Sequence, residues 1–287
     1  MAIPTNLDLI KLEKKLSEYQ GEDKIVSSEE LAQKENQIPL KSFKTSIPSI
    51  DRLLNGIEPG ELIITTGPTG GGKTTLLMSI TQNMANNGIN SVWFTMEVPP
   101  RQFLNKIQHQ GKMPHFYLPS KNTENNIQWL MERIIEAKLK YNTEIVFIDH
   151  LHQVFSTEKM KNLSLEIGDV VAQIKKLAMD YGLVIFLIAH NKDREDNKEP
   201  QMQDIRDSGM ISRLADAVMG VWRVKNGSDI TRNRVDDLSE NDTWAKVRIW
   251  KNRREGKMGT WFMNHQNHFL MELELDKIVD TFTNINI

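Results

Sequence analysis

The chain contains no cysteine, which excludes disulfide bridges and thiolate metal sites. It has no run approaching the roughly 18 consecutive apolar residues that a membrane-spanning helix requires, so no membrane role is expected. Its first residues, MAIPTNLDLIKLEKKL, lack a basic segment followed by an apolar core and a small-residue cleavage site. No secretory signal is read there, and the cytoplasm is the expected location. Charge of neither sign prevails, with 36 basic against 38 acidic residues and a formal net charge of −2. A protein so balanced has no global field to draw in polyanions, and any nucleic acid would need a local basic groove. Internal repeats and low-complexity tracts are also missing. What remains is a globular composition, 39% hydrophobic and 26% charged, in 287 residues, enough for one large α/β domain with an appendage.

Residues 1–45 read as an arm and residues 46–287 as the main domain. In the arm, Leu9, Leu12 and Leu16 fall on one face of a single amphipathic helix, and a polar run through SSEELAQKENQ follows. A helix this short buries too little to stand alone and is expected to dock on its own domain or on a neighbouring copy. From Ser46 the pattern tightens. SIPSIDRLLNG predicts a short helix, Pro59 and Gly60 a turn, Leu62–Thr66 an apolar strand, and Lys73 to about Asn86 a helix. SVWFTME, EIVFIDH and LVIFLIAH read as further strands separated by amphipathic helices. Strands apolar throughout imply a mainly parallel sheet covered on both faces. Beyond Ala217, AKVRIW alternates apolar and basic residues, and TWFMNHQ with HFLMEL reads as a hairpin around Asn267, so antiparallel strands are expected to extend one edge.

The stretch GPTGGGKTT, Gly67 to Thr75, satisfies G-x-x-x-x-G-K-[ST] between an apolar strand and a helix. Gly67, Gly70, Gly71 and Gly72 leave room for backbone N–H groups to turn inward around phosphates at a helix N-terminus. Lys73 is expected to reach the β and γ phosphates of ATP, the Thr74 hydroxyl to coordinate Mg²⁺, and Thr75 to complete the loop. Asp149 ends a buried strand, where its carboxylate is placed to hold the water shell of the same Mg²⁺. Glu97 ends SVWFTME, the strand expected beside the P-loop strand, and is a candidate general base for the attacking water. His190 ends LVIFLIAH at the carboxyl edge, where ligands of open α/β sheets gather, and is a candidate sensor of the γ-phosphate.

Together these pieces resemble the RecA-like ATPase domain of the DnaB-type hexameric replicative DNA helicases, through most of residues 46–273. GIEPGELIITTGPTGGGKTT resembles that family's Walker A region, FTMEV its strand-end glutamate and IVFIDH its Walker B. DIRDSGMISRLADAVMGVWR resembles its D-L-R-E-S-G…A-D segment, and KNRREGKMGTWFMNHQNHFL its K-x-R-x-G…G segment. The resemblance implies a RecA-like P-loop fold and a homo-oligomer, expected to be a hexamer, with ATP at each subunit boundary. It puts Lys251 and Arg253 on the basic residues inserted into the neighbouring subunit's ATP site, Arg253 as an arginine finger. It puts Arg206, Asp207 and Gly209 on a channel loop gripping the backbone of single-stranded DNA. Lys192 and Arg194 are expected on the same lining, although acidic neighbours surround them. The family's sensor is often Gln; the histidine here is closer to the mitochondrial helicase Twinkle and related phage enzymes. The separate N-terminal domain through which DnaB proteins contact primase and loader has no counterpart, which leaves contact with a primase or loader open. Two alternatives also stay open: a recombinase-like filament on DNA, and a KaiC-like regulatory ATPase without DNA.

Overall fold

The computed structural model describes residues 6–21, 23–35, 41–108, 113–122, 126–150, 163–192, 199–205, 208–224, 244–266 and 269–272. The chain divides into two compact units, Met1–Lys41 and Ser42–Ile287. The first holds two helices, α1 (Asn6–Ser17) and α2 (Ser28–Glu35). The second helix falls in the polar run that the sequence reading left without structure. Its start signal is local: the Ser27 hydroxyl accepts the Glu30 N–H at 3.1 Å, and Glu29 and Glu30 occupy the positive end of the helix. Along α1, Ile10, Leu12 and Leu16 are exposed.

The second unit opens with α3 (Pro48–Leu54), whose fixed proline φ suits the first helical turn and which ends at Asn55 in the left-handed region. Asp51 ties the approach to this helix by accepting the N–H and hydroxyl of Thr45, both at 2.8 Å. Strand β1 (Leu62–Gly67) is buried along its whole length and leads through the glycine loop into α4 (Lys73–Asn86). The chain continues through β2 (Ser91–Thr95), α5 (Pro100–Gln108), α6 (Ile127–Tyr141), β3 (Ile145–Asp149), α7 (Leu163–Tyr181) and β4 (Val184–His190). A 3₁₀ turn at Met202–Asp204 precedes α8 (Ser208–Leu214), and then come β5 (Ala217–Val224), β6 (Trp244–Asn252), β7 (Gly259–Gln266) and β8 (Phe269–Glu272).

These strands form one sheet in the order β2-β3-β4-β1-β5-β6-β7-β8. The first five are parallel, and β6, β7 and β8 extend the sheet antiparallel from β5, as the change of pattern after Ala217 predicts. One buried cluster joins one face to α3, α4 and α5 through Ile50, Leu76, Ile80 and Phe103; another joins the opposite face to α6, α7 and α8 through Leu130, Ile174 and Ile211. Covering both faces is what makes the parallel strands apolar throughout.

The order corrects one expectation. β2 does not neighbour the P-loop strand: β1 pairs with β4 and β5, and β2 lies at the edge beyond β3. The strand also stops at Thr95, so Met96 and Glu97 lie in a bend past its end. Side-chain packing explains the edge position. Trp93, Phe147 and Phe186 stand in register on β2, β3 and β4 and stack at 4.7 and 5.1 Å, while the Trp93 indole donates to the Thr81 hydroxyl of α4 at 3.0 Å. Tyr117 then pairs with the free side of β2, donating to Ser91 O at 2.8 Å and accepting from Trp93 N at 2.9 Å.

Candidate active site

The glycine loop sits where β1 ends, and two of its glycines are required by the backbone. At Gly67 (φ 147°) a Cβ would lie 1.9 Å from Val221 O of the neighbouring strand, a collision with backbone that no side-chain rotation relieves. Gly72 begins α4 in the left-handed region at φ 102°. Gly70 and Gly71 complete the turn between them, and Gly71 donates to Pro68 O at 3.0 Å. The loop therefore presents the N-terminus of a long helix to whatever sits above it.

Lys73 is buried and its ammonium donates to Gly67 O and Pro68 O, both at 2.9 Å, so it lies folded onto the loop. Burial pushes its pKa down, against the opposing pull of Asp149 and Glu97. The Thr74 hydroxyl donates to Asp149 Oδ2 at 2.9 Å, joining the two expected Mg²⁺ ligands across the start of α4 and the end of β3. Burial raises the Asp149 carboxyl pKa, with the Thr74 hydrogen bond working the other way. A desolvated carboxylate beside a hydroxyl offers the hard oxygen donors that suit Mg²⁺, and a cation there would relieve the cost of burying the charge. The donor set fits the ion. Thr75 lies in the first turn of α4, where its carbonyl accepts the Ser79 hydroxyl at 3.0 Å.

His190 reaches the loop because β4 pairs with β1, setting His190 opposite Gly67. Glu97 arrives by a different route. The ends of β2 and β3 lie side by side, with Asp149 O accepting from Met96 N at 2.6 Å and Glu97 N at 3.4 Å. His150, which the sequence reading passed over as the last letter of EIVFIDH, is buried between them: its Nδ1 lies 3.3 Å from Glu97 Oε2, and its ring meets that of His190 edge-on at 4.0 Å. Its position directly after Asp149 was the signal available.

Lys251 and Arg253 do not join this cluster. Both lie at the end of β6, which runs antiparallel to β5, and Ala217 at the start of β5 pairs with Asn252. That is the sheet edge opposite Gly67, about 16 Å away along β1. Lys251 donates to Ser212 O and Ala215 O, both at 2.7 Å, at the C-terminus of α8. Burial, then the charge of Arg253, lowers the Lys251 pKa. Arg253 pairs with Asp216 at 3.1 Å and donates to Arg213 O at 2.5 Å. Asp216 also accepts from Leu62 N at 2.8 Å and Lys175 at 2.5 Å, so it anchors that edge. Arg254 pins the same turn through Glu58 and Glu61 and through Leu54 O and Gly56 O.

Of the residues assigned to DNA, Lys192 is exposed just past His190, and its N–H donates to Asp204 O at 2.7 Å. Gly209 is exposed on α8. Arg194, Arg206 and Asp207 lie outside the described residues.

A glycine loop at a helix N-terminus, a buried lysine on it, and a threonine–aspartate pair beside it on a mainly parallel sheet define a P-loop nucleotide-binding domain. The chain belongs to the DnaB-like helicase C-terminal domain family, whose model matches residues 42–118 and 112–271. It is 24% identical over 278 residues to the replicative DNA helicase DnaB of Mycoplasma pneumoniae, covering 83% of this chain and 58% of that protein. It is 30% identical over 129 residues to a probable plasmid replicative DNA helicase of Chlamydia psittaci, covering 43% of this chain and 28% of that protein. The chain thus spans between about a quarter and three fifths of the length of these curated relatives. Among solved structures, an isolated helicase ATPase domain superposes with a TM-score of 0.63 at 16% identity, covering 85% of this chain and 96% of that one. A DnaB-like replicative helicase, described with its interactions with primase, gives 0.65 at 16% identity, covering 93% and 71%. The fold is that of these helicase ATPase domains.

Proposed function

We propose that this chain is the motor domain of a ring-forming DNA helicase, hydrolysing ATP at the boundaries between copies and moving along single-stranded DNA. The observation that carries the reading is the split of the candidate site. The loop, Lys73, Thr74, Asp149, Glu97 and His190 gather at the carboxyl edge of the sheet, while Lys251 and Arg253 stand on the opposite edge, beyond reach of their own chain's nucleotide. A site with its cations on the far side is completed by a second copy, and a repeated head-to-tail contact of this kind closes into a ring.

In this mechanism the loop N–H groups receive the phosphates, and Lys73 turns from Gly67 O and Pro68 O toward the β and γ oxygens. Thr74 and Asp149 hold Mg²⁺, which when bound neutralises charge on the phosphate oxygens. Glu97 takes a proton from water as its oxygen attacks the γ-phosphorus, and the bond to the departing ADP oxygen breaks. Arg253 of the neighbouring copy offsets the charge that builds on the transferred group, and Lys251 supports it. His190, in register with Gly67, registers the presence of the γ-phosphate and passes it to the segment that begins at Asn191 and leads to Arg206. Arg206, Asp207 and Gly209 grip the DNA backbone, with Lys192 and Arg194 on the same lining. Residues 1–45 serve as a linker arm. The exposed Ile10, Leu12 and Leu16 of α1 fit docking on an adjacent copy. A primase or loader is a further partner by likeness to the primase-bound relative.

The test is ATP turnover with Mg²⁺, with and without a single-stranded oligonucleotide, at concentrations where light scattering reports the assembly. Stimulation by DNA in a hexameric preparation is the expected result. A chain that stays monomeric with ATP and Mg²⁺, or turnover indifferent to DNA in the assembled state, overturns the reading.

A further inference from the structure

We infer that His150 is a positioning residue that sets the geometry of Glu97 and couples it to His190, an assignment resting on the reading of Glu97 as the base that activates water. The need for such a residue follows from where Glu97 sits. It lies past the end of an edge strand, with its side chain 56% exposed, and a glutamate there has three rotatable bonds to lose before its carboxylate points at one place. A base must be held within hydrogen-bond reach of the proton that it takes.

The structure supplies a side chain suited to this. His150 is buried and follows the strand-end Asp149, so its backbone is fixed by the β2–β3 pairing that also fixes Met96 and Glu97. Its Nδ1 faces Glu97 Oε2 at 3.3 Å, the position from which an Nδ1–H donates to one carboxylate oxygen and leaves the other for water. On its far side the ring packs edge-on against His190 at 4.0 Å, and His190 stands opposite Gly67 of the loop. Glu97, His150 and His190 thus form a contiguous line of three side chains with their donor atoms within 4.8 Å of one another. A displacement of His190 by the γ-phosphate moves the ring that orients the base, so the base is aligned only when the nucleotide is complete.

Three variants test this in the full chain. His150→Phe keeps a ring against His190 and removes the nitrogen; it is expected to lower kcat about 10–100-fold, part of what a general base supplies, with KM for ATP and the unfolding temperature unchanged. His150→Asn puts an amide N–H near the place of Nδ1 and is expected to retain turnover within about fivefold of wild type. In a Glu97→Gln background the Phe substitution is expected to cost less than about twofold more, because both changes remove one unit of function. His150→Leu replaces the Phe variant if that one does not fold. The inference is overturned by a Phe or Leu variant within threefold of wild type, by an Asn variant as impaired as the Phe variant, or by losses that multiply in the double variant. Normal turnover by Glu97→Gln would instead sink the parent assignment of the base, whereas an inactive Glu97→Gln beside a normal His150→Phe would sink this inference alone.

Discussion

Arg253→Ala offers the sharpest test, because the position of the residue separates its catalytic effect from its structural one. In the isolated chain the guanidinium pairs with Asp216 while 49% exposed, a surface ion pair worth about 0–1 kcal/mol. Asp216 keeps Lys175 and Leu62 N without it, so the variant should fold and bind ATP as wild type does. Its effect on turnover should be of another order: an arginine finger supplies about 10³–10⁵ in rate, or about 4–7 kcal/mol of barrier. The sheet geometry then dictates a mixing result. Arg253 stands at the edge away from Gly67, so Lys73→Ala copies, which lack a working loop, still present an intact finger to their neighbours. In a 1:1 mixture of Lys73→Ala and Arg253→Ala copies assembled at random, the competent boundaries have an intact loop facing an intact finger, about a quarter of the total for a head-to-tail ring. Each variant alone should be inactive, and the mixture should recover about that share of wild-type ATP turnover in a coupled assay with single-stranded DNA. A mixture as inactive as its components, or Arg253→Ala alone at wild-type rate, refutes the trans assignment.

Lys73→Ala should abolish binding of a fluorescent ATP analogue, since the ammonium now held on Gly67 O and Pro68 O is the charge proposed to turn onto the phosphates; unaltered affinity would contradict this. Arg254→Ala should cost about 2–3 kcal/mol in chemical denaturation, as it leaves Glu58 and Glu61 without their mostly buried partner; a change below about half a kcal/mol would show that the turn is held by other contacts. Arg206→Ala should weaken oligonucleotide binding by about tenfold and reduce the salt slope of binding by about one, with basal turnover kept; equal affinity and slope would remove Arg206 from the DNA path.

Much of the site could be read directly from the chain because its determinants are local. The glycine loop with Lys73 and Thr74, the strand-end Asp149 and His190, and the helix from Lys73 to Asn86 are each specified within about fifteen consecutive residues. A phosphate-binding turn requires glycine where φ is positive, and a buried parallel strand requires an unbroken apolar run, so both leave a mark in the sequence. The antiparallel extension was legible for the same reason, through the alternation in β6. The second arm helix escaped because its residues are polar almost all round and its mark was only the Ser27 cap.

Composition and pattern by themselves determined a P-loop α/β domain, the face that takes phosphate, and the family. The tertiary structure decided the order of the strands, which depends on crossovers between segments far apart in the chain and on the Trp93–Phe147–Phe186 stack that seats β2 at the edge. It also decided that His150 stands between Glu97 and His190, and that Lys251 and Arg253 rest on the C-terminus of α8 at the edge away from Gly67. Periodicity reports which face of an element is buried, but only packing in three dimensions reports what lies against it.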